Sequence, residues 1–334
     1  RRSCVQMFAI PPPMDTESPQ PSQVSEAMPG LAASRLRPFL LVSAALHEHM
    51  DVDCEGCAGC CIDWRPLTGR AIDHERTGPF DPLDDTYNLV PLTRGEIRRF
   101  VERGYGDALR PRLWRADDDR SITLDGVDVA AIGERPVFFV GLRKPPKPVA
   151  PFDRPRAWLR SCVFLDPDTL QCRIHDGDLY PDACATYPGE NLLLSTETEC
   201  ERVETVHDGR RLRDDDPPDV TPMFGPGAVG ERVFAHPEPA RVADRVGRFR
   251  DGDLTPEDRA EFVAVAAASS PGTLAVNDER YEAVLEQVLR ADSWTGRAIA
   301  RWTEAAAVVG GRAPHPPEPA SVEDDDGAPP APGW

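Results

Sequence analysis

Cys54-Glu-Gly-Cys57-Ala-Gly-Cys60-Cys61 is the stretch that organises this chain of 334 residues. Thiolates at two-residue gaps can wrap one metal centre, because the intervening turns expose backbone amides towards the sulfurs and the small Gly56 and Gly59 let the chain bend. Structural zinc uses cysteine pairs of the same spacing, with further ligands brought from elsewhere. Cys60 and Cys61 are neighbours whose side chains are expected to diverge, so one of them is expected to serve a second centre or none. Buried apolar cysteine explains single residues but not this run. Disulfides need an oxidising compartment, and the sequence signals no export.

Working outward, the remaining candidates are Cys162, Cys172, Cys184 and Cys200, with His175 three residues beyond Cys172 in a ligand spacing. His47 and His49 lie just upstream of the run and are explained equally well as a solvated helix end. The segment Cys162-Val-Phe-Leu, then Asp166-Pro-Asp-Thr169, then Leu170-Gln-Cys172-Arg-Ile174 reads as a hairpin that sets Cys162 opposite Cys172. Val137 to Leu142 reads as a buried strand. Thr93 and Glu96 form a capping box ahead of Ile97, Phe100 and Val101, which predicts a short helix running to about Arg103 and ended by Gly104.

A different texture follows. Residues 241–312 look helical. Tyr281, Val284, Leu285, Val288 and Leu289 share one helix face capped by Asn277, Thr255-Pro256 opens another helix, and Ser293 opens a third carrying Ile299 and Trp302. The expected organisation is a disordered leader over 1–35, a cysteine-cluster domain over 36–212, a linker over 213–240, the helical segment over 241–312, and an acidic disordered tail over 313–334. The linker reading rests on Asp214-Asp-Asp-Pro-Pro218 and the Gly- and Pro-rich residues after it. The tail reading rests on Glu323-Asp-Asp-Asp326 among prolines. The fold class expected is α+β: an irregular, turn-rich, metal-stabilised cysteine-cluster domain of short strands and helices, followed by a small α-helical segment.

Composition bounds the function. Asp and Glu number 57 against 38 Lys and Arg, a formal net charge of -19, which disfavours a broad nucleic-acid face. Lys144 and Lys147 are the only lysines. Such an acidic, lysine-poor chain suits a salty cytoplasm, where salt screens carboxylate repulsion. No run of about 18 apolar residues is present, so no membrane span is expected, and the short apolar stretch Phe39 to Leu46 lacks a signal-peptide layout.

Three blocks in one order carry a resemblance: Cys54-x2-Cys57-x2-Cys60-Cys61; Cys162-x-Phe-Leu with Cys172-x-Ile-His175; and Tyr180-Pro-x2-Cys184-x2-Tyr187-Pro188. Over about residues 50–205 the chain resembles the YkgJ-type cysteine-cluster family, described as a zinc- or iron-chelating domain. The Leu92-Thr93 to Glu96-Ile97 helix start fits the same pattern, whereas the family's Arg-Pro before the later cysteine is Tyr180-Pro181 here. The resemblance implies a zinc- or iron-chelating site, to be filled by a [4Fe–4S] cluster or Zn2+; the candidate ligands are Cys54, Cys57, Cys60, Cys61, Cys162, Cys172, Cys184 and Cys200, with His175 as a weaker candidate. Flagellin lysine N-methylase-like relatives imply an alternative, a protein methyltransferase using S-adenosylmethionine. A further alternative is a zinc-stabilised scaffold whose helical segment docks a protein partner. No Gly-rich cofactor fingerprint follows a predicted strand, and Gly104-Tyr-Gly106 reads as a helix stop. No catalytic residue is assigned.

Overall fold

The computed structural model describes residues 57–68, 80–116, 119–187, 198–207, 225–309 and 319–332. Cys54, His47, His49 and the 1–35 leader lie outside these residues.

The central element is the strand read from its apolar run, β5 (Arg135–Leu142), buried from Pro136 to its end. It pairs antiparallel with β2 (Leu109–Ala116) from Leu109↔Leu142 to Leu113↔Phe138. Past that point β2 turns to β4 (Val127–Ile132) at Arg115↔Val129. β3 (Ser121–Leu124) adds to β4, β1 (Phe80–Pro82) lies along β2, and β8 (Phe234–Ala235) pairs with β5. The β3–β4 and β4–β5 turns each place two central residues at positive φ, Asp125 and Gly126 at 48° and 73°, Gly133 and Glu134 at 55° and 62°. That left-handed pair matches the twist of the strands it joins. A separate hairpin pairs β6 (Pro146–Val149) with β7 (Ala157–Arg160).

Three helices, those capped by Thr93, Thr255 and Asn277, begin where their caps predict. α1 (Arg94–Glu102) carries the Thr93/Glu96 capping box, and Gly104 follows it at φ 82°. α2 (Asp182–Ala185) and α3 (Glu199–His207) are short. Then come α4 (Pro239–Ala243), α5 (Val246–Asp251), and α6 (Pro256–Ala268) with a Thr255/Asp258 capping box. α7 (Asp278–Leu289) is capped by Asn277, α8 (Trp294–Val309) follows, and α9 (Pro319–Asp325) lies near the C-terminus. Val284 and Val288 of α7 are buried as its periodicity predicts, while Leu289, at the helix end, is 46% exposed.

Three expectations change. The stretch read as a linker holds structure from Gly225 onward: β8 and the start of α4 fall there, and Phe234 has no exposure. Gly230 serves close packing, since a Cβ there would sit 2.1 Å from the Ser270 carbonyl oxygen at a φ of 73°. The stretch read as a solvated acidic tail contains α9, whose Glu323 is fully buried. The hairpin that was to set Cys162 opposite Cys172 instead sets Leu165 opposite Cys172. Asp166 shifts the register by accepting bonds from the Asp168 and Thr169 amides, both at 2.9 Å, which tightens the turn.

Helices and sheet share one core. Phe262 of α6 meets Phe138 of β5 edge-on at 4.9 Å and Phe249 of α5 at 5.0 Å. Phe164, in the cysteine loop, packs against Phe100 of α1 and Trp294 of α8. The alanines of α6 let it lie close against its neighbours, and residues 260–268 of it are buried on every side.

Candidate metal centre

Separate segments deliver the thiols. In the first, the Ala58 carbonyl accepts the Cys61 and Ile62 amides at 2.9 and 3.1 Å, forming a turn with Ala58 at φ 49°. Gly59 is needed there, since a Cβ would meet Val203 of α3 at 2.8 Å. The Cys162 amide bonds the Cys61 carbonyl at 2.8 Å, so the second segment is stitched to the first. Cys172 lies beyond the Asp166 turn. Cys184 rides on α2, whose Asp182 amide bonds the Glu96 carboxylate at 2.6 Å. Cys200 comes from α3.

These residues line a cavity of about 160 Å³, with Cys57, Cys60, Cys61, Cys162, Cys172, Cys184, Cys200 and His175 all on its wall. All the sequence-predicted ligands among the described residues are therefore brought to one place. Cys60 and Cys61 do not diverge as expected: the left-handed Ala58 turn sets their Sγ atoms 3.9 Å apart. His175 packs on Tyr180 at 4.8 Å and has its Nδ1 3.2 Å from the Asp176 carboxylate.

The backbone is aimed at the sulfurs in a repeated way. The Gly59 amide donates to Cys57 Sγ at 3.4 Å. The Phe164 and Ile174 amides favour the charged forms of Cys162 and Cys172. In each case the amide lies two residues after the cysteine. Such donors favour a sulfur carrying negative charge.

Burial opposes that charge. It pushes the Cys172 thiol up to about 12, with the nearby Cys162 adding to the rise. Burial also raises Cys162 and Cys184. Cys61 is held high by its bond to Cys60, while Cys60 is held low by that bond and by the attraction of Lys144. Ionising several of these thiols together requires positive charge inside the cavity.

Lys144 supplies part of it. Its ammonium is buried and bonds the Cys60 carbonyl at 3.2 Å. Sequence reasoning noticed a missing guanidinium at Tyr180-Pro181 but passed over this lysine, although Lys144 and Lys147 are the only lysines and both are buried here. Glu199 was missed too. Its carboxylate accepts bonds from the Trp64 indole and the Tyr87 hydroxyl, the latter at 2.6 Å, and pairs with Arg202 at 3.4 Å. It braces the wall beside Cys60, and its position directly before Cys200 was the available signal.

Among the described residues, no three Cys, His, Asp or Glu side chains already surround a single point from which all could bind one ion. The sulfurs face a cavity wider than one ion. Their chemistry nevertheless fits a thiophilic metal: soft donors, Cys162 buried and the others half-buried, gathered on one wall.

Fold and site together define an α+β protein built around a cysteine-lined cavity. The chain belongs to a family of unknown function (DUF7531), whose model matches residues 50–334. No match was found among curated proteins or among solved structures. Among the described residues, no helix is long and apolar enough to cross a membrane.

Proposed function

We propose that this is a metal-binding cysteine-cluster protein, holding an iron–sulfur cluster or zinc through clustered thiolates, of the kind that its resemblance to the YkgJ-type family implies. The observation that carries this reading is the convergence of Cys60, Cys61, Cys162, Cys172 and Cys184 on one cavity, with the Gly59 amide directed at Cys57 and the Phe164 and Ile174 amides favouring charge on Cys162 and Cys172. Cys54, Cys57, Cys200 and His175 complete the candidate set. An iron–sulfur cluster would supply electron storage, and zinc a crosslink between the segments. The chain's own contribution is to gather thiols, offset their charge through Lys144, and brace the wall with Glu199. Bound metal would then stabilise this turn-rich part of the fold.

The test is metal and labile-sulfide analysis of protein prepared without air. Iron with sulfide, or stoichiometric zinc, is expected. Cys162→Ser and Cys184→Ser should each lower metal content about tenfold or more, whereas Cys200→Ser should lower it less. A folded protein that takes up neither metal sinks the reading.

A further inference from the structure

Glu323, on α9, has no exposure and is held by buried cations. Lys147 Nζ approaches its Oε1 at 2.6 Å, Trp302 Nε1 donates to the same oxygen at 3.2 Å, and Arg173 Nε donates to Oε2 at 2.9 Å. Arg173 also reaches the Pro329 carbonyl at 2.5 Å and pairs with Asp166 at 2.9 Å. Glu323 and Asp166 thus balance Lys147 and Arg173, as a buried ionic group requires.

What these cations hold gives the arrangement its purpose. Lys147 donates to the Val163 and Leu165 carbonyls at 2.8 and 2.7 Å, those of the residues on either side of Phe164. Val163 directly follows Cys162, and the Phe164 amide favours the charged form of that thiol. Arg173 stands between Cys172 and Ile174, and its own amide bonds the Phe164 carbonyl at 2.8 Å. The Ile174 amide favours the charged form of Cys172. One carboxylate therefore grips, through two cations, both sides of the loop that presents these sulfurs.

We infer that Glu323 is a positioning residue for the Cys162 and Cys172 thiols, and that α9 is a latch closed over their loop. The geometry stands by itself; its purpose rests on the reading of the cavity as a thiolate metal centre. Cys184, carried by α2 and tied to Glu96, lies outside the latch.

The test uses the full chain, reduced and stripped of metal, reacted with iodoacetamide under native conditions, with the rate at each cysteine read by peptide mass spectrometry. In Glu323→Gln, Cys162 and Cys172 should react about tenfold or more faster, while Cys184 keeps its rate, because one side of a buried ion pair is removed locally. Glu323→Asp, which keeps the charge, should restore most of the protection. An equal rise at Cys184, or no rise at Cys162 and Cys172, overturns the inference. Should Glu323→Gln fail to fold, native-state hydrogen exchange of the unaltered chain decides. The Phe164 and Ile174 amides should open together with those of α9, and α9 opening while they stay closed overturns the latch. Neither readout involves metal content, so failure of the metal reading would leave the result standing.

Discussion

At the scale of single residues, the chain depends on positions where no alternative side chain fits. Gly230 combines a φ of 73° with a Ser270 carbonyl oxygen 2.1 Å from any added Cβ, whereas Gly227 faces open space. Gly230→Ala should cost about 2–4 kcal/mol from strain and overpacking together, and Gly227→Ala should cost far less. Urea midpoints of the two variants check this, and equal shifts would sink it. A titration marks a second position. Burial alone would raise Asp258, but bonds from Arg248, the Thr255 amide and Arg245 bring it down from 3.8 to about 2. A lowered carboxyl stabilises the fold above its unfolded value and loses that contribution as pH falls. Asp258→Asn should therefore be less stable near neutrality, with the difference closing as pH drops from 3.8 towards 2, as thermal melts across that range would show. Individual ligand candidates were legible because spacing is local. Lys144 and Glu199 were not, because Lys144 meets Cys60 only after the fold brings together positions 84 apart in sequence, and Glu199 meets Trp64 only across 135.

At the scale of elements, capping chemistry predicted helix starts well, because a cap is complete within a few residues. Thr93, Thr255 and Asn277 each accept the amide bond their sequence context implies. What the pattern did not reveal is that Glu96 works in two directions. Its Oε2 accepts the Thr93 amide at 2.6 Å, and its Oε1 accepts the Asp182 amide at 2.6 Å, joining α1 to the helix that carries Cys184. Thr93→Ala should lose about 1 kcal/mol, the usual value of a cap. Glu96→Ala should lose about 2–4 kcal/mol, because it strands donors at both helices. Hydrogen exchange separates the two: only Glu96→Ala should deprotect the Asp182 amide, and protection unchanged there would refute the bridge. Strands were harder to read. β5 was visible as an apolar run, but β2 alternates arginine with buried residues, and Arg112 is buried only because Asp84 pairs with it at 2.9 Å. The hairpin register around Cys162 and Cys172 failed for the same kind of reason, since the Asp166 side chain set it and apolar alternation did not.

At the scale of the whole molecule, the sequence showed two textures and suggested two bodies, yet one core runs through both. The contacts that join them, such as Phe138 with Phe262 and Phe164 with Trp294, link aromatic residues with no local signature. The net charge of -19 acts at this scale as well. Some acids lie inside: Glu323 and Asp84 sit in buried ion pairs that salt screens little. Others stand in water, including Asp85 and Asp292, each at 80% side-chain exposure and each paired with one arginine, and the excess of acids over bases leaves a net repulsion over the surface. The screening length falls from about 10 Å at 0.1 M salt to about 3 Å at 1 M, below the typical spacing of surface charges. Compaction brings these charges closer than they are in the unfolded chain, so screening favours the folded state. The melting temperature should therefore climb steeply with sodium chloride up to a few tenths molar and then flatten as screening saturates. A climb that stays linear into the molar range would point to exclusion of salt from apolar surface instead. A melting temperature that falls with salt would mean that surface ion pairs outweigh the repulsion, and the acidic excess would then need an explanation other than life in a salty solvent.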